Sequence, residues 1–284
     1  MFADACRIAK GFTRPVATSL RYQDGVVSTI LNSFIVVNSD GWAITAGHTF
    51  DSLVKMEGDR KKMAELERIN AGSSEPAKMD PKFILNHSFW WGWDGVMLGE
   101  VTVDRKIDIA LVKLVNFRPS MVPNYPVFAD PNDISVGSSI CRLGHPFVDP
   151  PTEFDSSRNA FRIPKIDSDA CIFANDGMVS KILTVKKAGN SPFDAVYLDT
   201  STPGYRGQAG GPIVNSEGKV CGMQINTVAL PFGFNFFDGE KKQIDDQYCC
   251  VGRAVHVKTI RQLLDSKNIL YSSDDSGEEY RIIG

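Results

Sequence analysis

Gly207-Gln208-Ala209-Gly210-Gly211-Pro212 is the stretch on which the reading of this chain turns. Glycines on both sides of position 209 let the backbone bend tightly and come close to another molecule without a Cβ in the way. In such a bend the N–H groups of Gly207 and residue 209 can face the same space. There they could hold an oxygen that gains negative charge. Pro212 would end the turn and start a strand at Ile213. Acyl transfer would need a hydroxyl beside those N–H groups, and Ala209 offers only a methyl. Taken alone, the string is a glycine turn between two strands.

Two other segments give it more meaning. In Trp42-Ala43-Ile44-Thr45-Ala46-Gly47-His48 an apolar strand ends in a small-residue turn followed by a histidine. Histidine is the side chain best suited to take and return a proton near neutral pH. In Ile107-Asp108-Ile109-Ala110-Leu111-Val112-Lys113-Leu114 a single carboxylate enters a β-branched apolar run. A carboxylate drawn into such a run needs a partner, and a histidine N–H is a suitable one. The chain order is thus His48, Asp108, residue 209.

These residues resemble the chymotrypsin-fold, trypsin-like serine peptidases, and more closely the protease domain of the HtrA (Deg) family. The resemblance covers most of the chain. Phe34 to Trp42 resembles the hairpin before the catalytic histidine. Gly137 and Ile140-Cys141-Arg142-Leu143-Gly144-His145-Pro146-Phe147 resemble the strand ending in Gly-Asn-Pro-Phe, with His145 in place of the asparagine. Gly177-Met178-Val179-Ser180 resembles a Gly-Ile-Val-Ser strand. Gly222 to Thr227 resembles the strand that lines the specificity pocket, and Val251 to Val255 with the following helix resembles the closing elements.

The resemblance implies an all-β fold with minor helices: two antiparallel six-stranded β-barrels and a C-terminal helix. It implies His48 as general base, Asp108 as its orienting partner and residue 209 as nucleophile. Gly207 and Ala209 would form the oxyanion hole, and Pro203, Met223, Gln224, Ile225 and Asn226 would contact substrate. No cofactor or metal is expected. There are departures from the pattern. No PDZ domain is expected after the closing helix. Tyr205-Arg206 lengthens the nucleophile loop, and Gln208 replaces the aspartate that captures a freed N-terminus in pancreatic-type enzymes. The start, Met1-Phe2-Ala3-Asp4, argues against activation by N-terminal cleavage.

Composition agrees with one catalytic domain. The chain has 284 residues, of which 43% are hydrophobic, ample for a core, and 23% are charged. A net charge of −3 gives no reason to expect nucleic acid as a partner. No leader-like or bilayer-spanning run is visible, so no membrane is expected. The six cysteines have no metal-ligand spacing, and adjacent Cys249 and Cys250 suit no ordinary disulfide. Free buried thiols in a reducing, cytoplasmic setting are expected.

The peptidase domain is expected over 1–270, with one barrel at about 15–125 and another at about 126–257, and an acidic tail over 271–284. Asn38-Ser39-Asp40-Gly41 and Asn215-Ser216-Glu217-Gly218 read as hairpin turns. An amphipathic helix is expected over 50–70, a long loop over 148–170, and an inserted loop over 228–248 carrying Phe232, Phe234, Phe236 and Phe237. A helix over 259–270 would present Ile260, Leu263 and Leu264 on one face. Tyr280, Ile282 and Ile283 follow the acidic run. His87, His145 and His256 read as structural.

Two functions follow. One is a serine endopeptidase acting on protein or peptide substrates, inactive here because alanine replaces the nucleophile, as a deliberate Ser→Ala replacement would leave it. The other is a natural pseudopeptidase that binds peptides or a partner. In the first, Tyr205, Arg206 and 228–248 are expected to control loop order, and an activating partner protein is among the expected partners. An uncharged residue, apolar or small, is expected before the cleaved bond, because Pro203, Gln224 and Asn226 bring no acid unless Asp238, Asp245 or Asp246 reaches in.

Overall fold

The computed structural model describes residues 2–72, 74–186, 193–233, 235–238, 241–244 and 247–274. The side chains of Phe234, Phe236, Phe237, Asp238, Asp245 and Asp246 lie outside the described residues, as do Tyr280, Ile282 and Ile283.

The first half of the chain curls into a six-stranded sheet. Its strands are β1 (Thr13–Tyr22), β2 (Val27–Val36), β3 (Trp42–Ala46), β4 (Ile84–Trp90), β5 (Met97–Asp104) and β6 (Ile109–Val115), in the spatial order β4-β1-β2-β3-β6-β5. The second half contributes β7 (Val127–Phe128), β8 (Ser139–Gly144), β11 (Phe173–Val185), β12 (Ala195–Thr200), β13 (Pro212–Val214), β14 (Val220–Pro231), β17 (Tyr248–His256) and β18 (Ser272–Ser273). Six of these close a ring, β13-β8-β11-β12-β17-β14, because β13 pairs with both β8 and β14. Short β7 and β18 add to its rim through parallel pairings. Two six-stranded antiparallel barrels are therefore present, as the sequence suggests.

The two expected hairpins share one device. The Asn38 side-chain oxygen accepts from the N–H groups of Asp40 and Trp42, and Asn215 does the same for Glu217 and Lys219. Gly41 and Gly218 complete the turns at φ +83° and +80°, where other residues would be strained.

One helix has no counterpart among the expectations, and three expectations are corrected. The new helix precedes the first barrel: α1 (Ala3–Phe12) buries Ala5, Ala9 and Phe12 in the core that the second barrel dominates. α2 (Asp51–Asn70) is present, but it has no apolar stripe. Only Met56 and Asp59 are buried, and Val54 and Ile69 are exposed. Asp59 holds the helix to β4 by accepting the Ile84 N–H at 2.9 Å while Lys55 pairs with it at 2.5 Å. The loop over 148–170 contains a small hairpin, β9 (Glu153–Asp155) with β10 (Ala160–Arg162). Much of 228–248 is strand: β14 and β17 stay paired out to Pro231 and Tyr248, and a further hairpin, β15 (Asn235–Asp238) with β16 (Lys241–Ile244), lies between them.

The closing helix, α3 (Val257–Ser266), ends earlier than expected but buries Ile260, Leu263 and Leu264 as predicted. All six cysteines are unpaired; Cys6 and Cys141 bring their sulfurs to 3.5 Å, whereas Cys249 and Cys250 are exposed rather than buried. No described helix is long and apolar enough to cross a membrane.

Candidate active site

β3 leads directly into the turn that carries His48. Ala43, Ile44, Thr45 and Ala46 are all buried, so the strand is fixed by packing up to its last residue. Gly47 then lets the chain pass Asp108 closely: a Cβ there would lie 3.2 Å from the Asp108 carboxylate. Asp108 sits at φ 61°, a left-handed conformation that an aspartate adopts at a cost. In that conformation its carboxylate lies against His48. Oδ2 is 2.9 Å from the ring Nδ1, and Oδ1 accepts the His48 backbone N–H at 2.8 Å. The hydrogen bond that the His48 ring donates to Asp108 holds the His48 pKa above its usual value, with burial opposing and the charges of Asp108 and Asp51 helping.

The loop carrying position 209 is wedged against the same strand. Gly210 has φ +84°, and a Cβ on it would come within 2.0 Å of the Ser33 carbonyl and 2.4 Å of Thr45 Oγ1. The Gly210 N–H donates to the Gln224 carbonyl at 2.7 Å, and the Ser33 N–H donates to the Ala209 carbonyl at 2.8 Å. Position 209 is thereby held beside the strand end that bears His48.

Gly207, at φ +103°, is pinned by its carbonyl, which accepts from Ser33 Oγ at 2.8 Å and from the His145 N–H at 3.2 Å. Neither the Gly207 N–H nor the Ala209 N–H has an acceptor among the described residues. Tyr205 belongs to the same turn: its carbonyl accepts the Gln208 N–H and its own N–H donates to Gln208 Oε1, each at 2.9 Å.

The proposed substrate contacts have different surroundings. Met223 and Ile225 are buried in the barrel core. Gln224 is buried beneath the loop, Asn226 is exposed, and the Pro203 carbonyl accepts from Arg142 at 3.0 Å. Three supporting residues escaped the sequence reading. Ser33 lies in an ordinary strand pattern, and only tertiary pairing shows its use. Arg142 is a charged residue at an apolar strand position, a signal that could have been noticed. Phe147 is 75% exposed at φ 61° and packs with Phe173 and Tyr205. It borders a cleft of about 400 Å³ that also touches Leu31, Arg206 and Gly207.

The other histidines are structural. His87 bonds Ser52 at 2.9 Å, and His256 caps α3 by accepting the Lys258 N–H at 2.9 Å. His145 faces Ser33 Oγ at 3.0 Å. Burial pushes all three down to about 4.

The fold and the site together define a two-barrel peptidase scaffold. Residues 33–223 match the trypsin-like peptidase domain, and the chain belongs to that family. Among solved structures, it is similar to the HtrA-type protease AlgW with a tripeptide, at 16% identity and a TM-score of 0.47. That match covers 94% of this chain and 63% of the other. It is also similar to an inactive form of Rv3671c from M. tuberculosis H37Rv, a serine-to-alanine mutant, at 12% identity and a TM-score of 0.47, covering 92% and 89%. The chain thus spans less than two thirds of the AlgW chain. No curated protein matches it in sequence.

Proposed function

We propose that this chain is a serine endopeptidase domain whose triad is His48, Asp108 and a serine at position 209, seen here in an inactive form with Ala209. The observation that carries the reading is the His48 Nδ1 to Asp108 Oδ2 contact at 2.9 Å beside a loop that leaves the Gly207 and Ala209 N–H groups without acceptors. With serine at 209, the other ring nitrogen of His48 would take the hydroxyl proton as the oxygen attacks a peptide carbonyl. Asp108 would hold the tautomer and favour the imidazolium. The two N–H groups would receive the oxyanion, and His48 would return the proton to the leaving amine. A protein or peptide is the substrate, and no step calls for a cofactor. The unpaired thiols support a reducing, cytoplasmic setting.

The second reading, a natural pseudopeptidase that binds peptides, is favoured by Ala209 itself. One experiment separates the two: Ala209→Ser should react with a fluorophosphonate and cleave members of a broad peptide library, while the chain with Ala209 does neither. If the serine form stays unlabelled and cleaves nothing, the endopeptidase reading falls.

A further inference from the structure

Below Ala209, three pieces of backbone face one another: 202–204 in the loop before it, 224–227 of β14, and Gly252 of β17. In a trypsin-like frame this slot would receive the side chain that precedes the cleaved bond. Here it is filled from the inside. Arg142 on β8 is completely buried. Its Nε donates to Gln224 Oε1 at 2.7 Å, and one terminal nitrogen donates to the Pro203 carbonyl at 3.0 Å. The other donates to Thr200 Oγ1 at 2.6 Å and the Thr202 carbonyl at 3.2 Å.

Gln224 takes up the space that remains. A Cβ on Gly204 would lie 2.3 Å from Gln224 Nε2, and one on Gly252 would lie 2.4 Å from Arg142 Nη2. Nearer the mouth, Thr227 Oγ1 donates to the Gly204 carbonyl at 2.6 Å and ties the two walls together. We propose that Arg142 and Gln224 plug this slot, so that the site accepts a peptide only when glycine or alanine precedes the bond to be cleaved. The proposal rests on the peptidase reading for its ligand class.

The plug is not easily moved. Arg142 has no carboxylate partner among the described residues. Its charge is met only by neutral acceptors, and burial lowers its pKa to about 10, still cationic at neutral pH. Swinging it aside would strip a buried charge of its hydrogen bonds. Gln224 cannot leave without orphaning the guanidinium Nε.

The chain with Ala209 can be titrated with fluorescent peptides that differ only at that position: Gly, Ala, Leu, Phe, Arg or Glu. Gly and Ala peptides should bind at least tenfold more tightly than the others. Equal or tighter binding of the Leu, Phe or Arg peptide overturns the plug. Selection for Glu overturns it as well, by showing the guanidinium accessible as an anion receptor.

If no peptide of the series binds, the peptide-site reading fails, and the plug is then judged alone with benzamide as a neutral ring probe. By NMR the unaltered chain should show no benzamide-induced shifts at the Arg142 and Gln224 side chains, and Gln224→Gly should gain them. Shifts in the unaltered chain overturn the plug whether or not the variant folds.

Discussion

His48 stands apart from the other histidines in its electrostatics. Its folded pKa is raised by Asp108, while His87, His145 and His256 are pushed to about 4 by burial. An NMR titration of the ring protons should therefore show one histidine changing charge above the ordinary value of about 6.5 and three changing far below it. Asp108→Asn should bring the upper transition down; if it does not move, Asp108 is not its cause. The sign for stability follows. A raised histidine pKa stabilises the fold fully below the unfolded value and loses that contribution as pH rises through the folded one. In the serine form the base must be neutral, so kcat/KM should climb with pH through the same raised transition. His48, Asp108 and position 209 could be singled out in the sequence as candidates because local patterns flank each of them. The residues that hold them were not: Ser33 is an unremarkable strand serine until the fold brings Gly207 and His145 to it.

The loop around position 209 is an element defined by what grips it. Ser33 Oγ donates to the Gly207 carbonyl at 2.8 Å, faces His145 Nδ1 at 3.0 Å and is completely buried. Ser33→Ala should cost about 1–3 kcal/mol of stability, since it leaves buried polar groups unsatisfied. In the serine form it should lower kcat more than it raises KM, because the Gly207 N–H is then held less well where the oxyanion forms. An unchanged kcat beside a lowered Tm would confine Ser33 to structure. The hairpins were readable because Asn and Gly at fixed offsets have one local job. α2 was readable as a helix but not in its packing. Its charge run is solvated, and its two buried side chains, Met56 and Asp59, follow no stripe. The β14–β17 extension was hidden because its continued pairing depends on long-range register.

At the scale of the molecule, α1 contributes most of what the sequence did not announce. Phe12 is fully buried in the core cluster shared with Phe128, Ile140 and Val214. Phe12→Ala should cost about 3–5 kcal/mol by leaving a cavity. A loss below about 1 kcal/mol in denaturant unfolding would mean that α1 packs only loosely. Ala5, Ala9 and Phe12 recur at helical spacing, so the helix was legible in the sequence although no local motif drew attention to it. Small residues matter there because they let a helix approach a barrel closely.

The chain's two described ends cross over. α1 packs on strands β8 and β13 of the second barrel, yet it runs straight into β1 of the first. At the other end, past α3, the Leu270 carbonyl accepts Asn38 Nδ2 of the first barrel at 2.8 Å before 272–273 join β7. Each barrel is thus touched by a segment that leads into or out of its neighbour. Moving the two halves apart would have to break both attachments at once, so the two halves should melt in a single calorimetric step; two separate transitions would show that the attachments do not couple them.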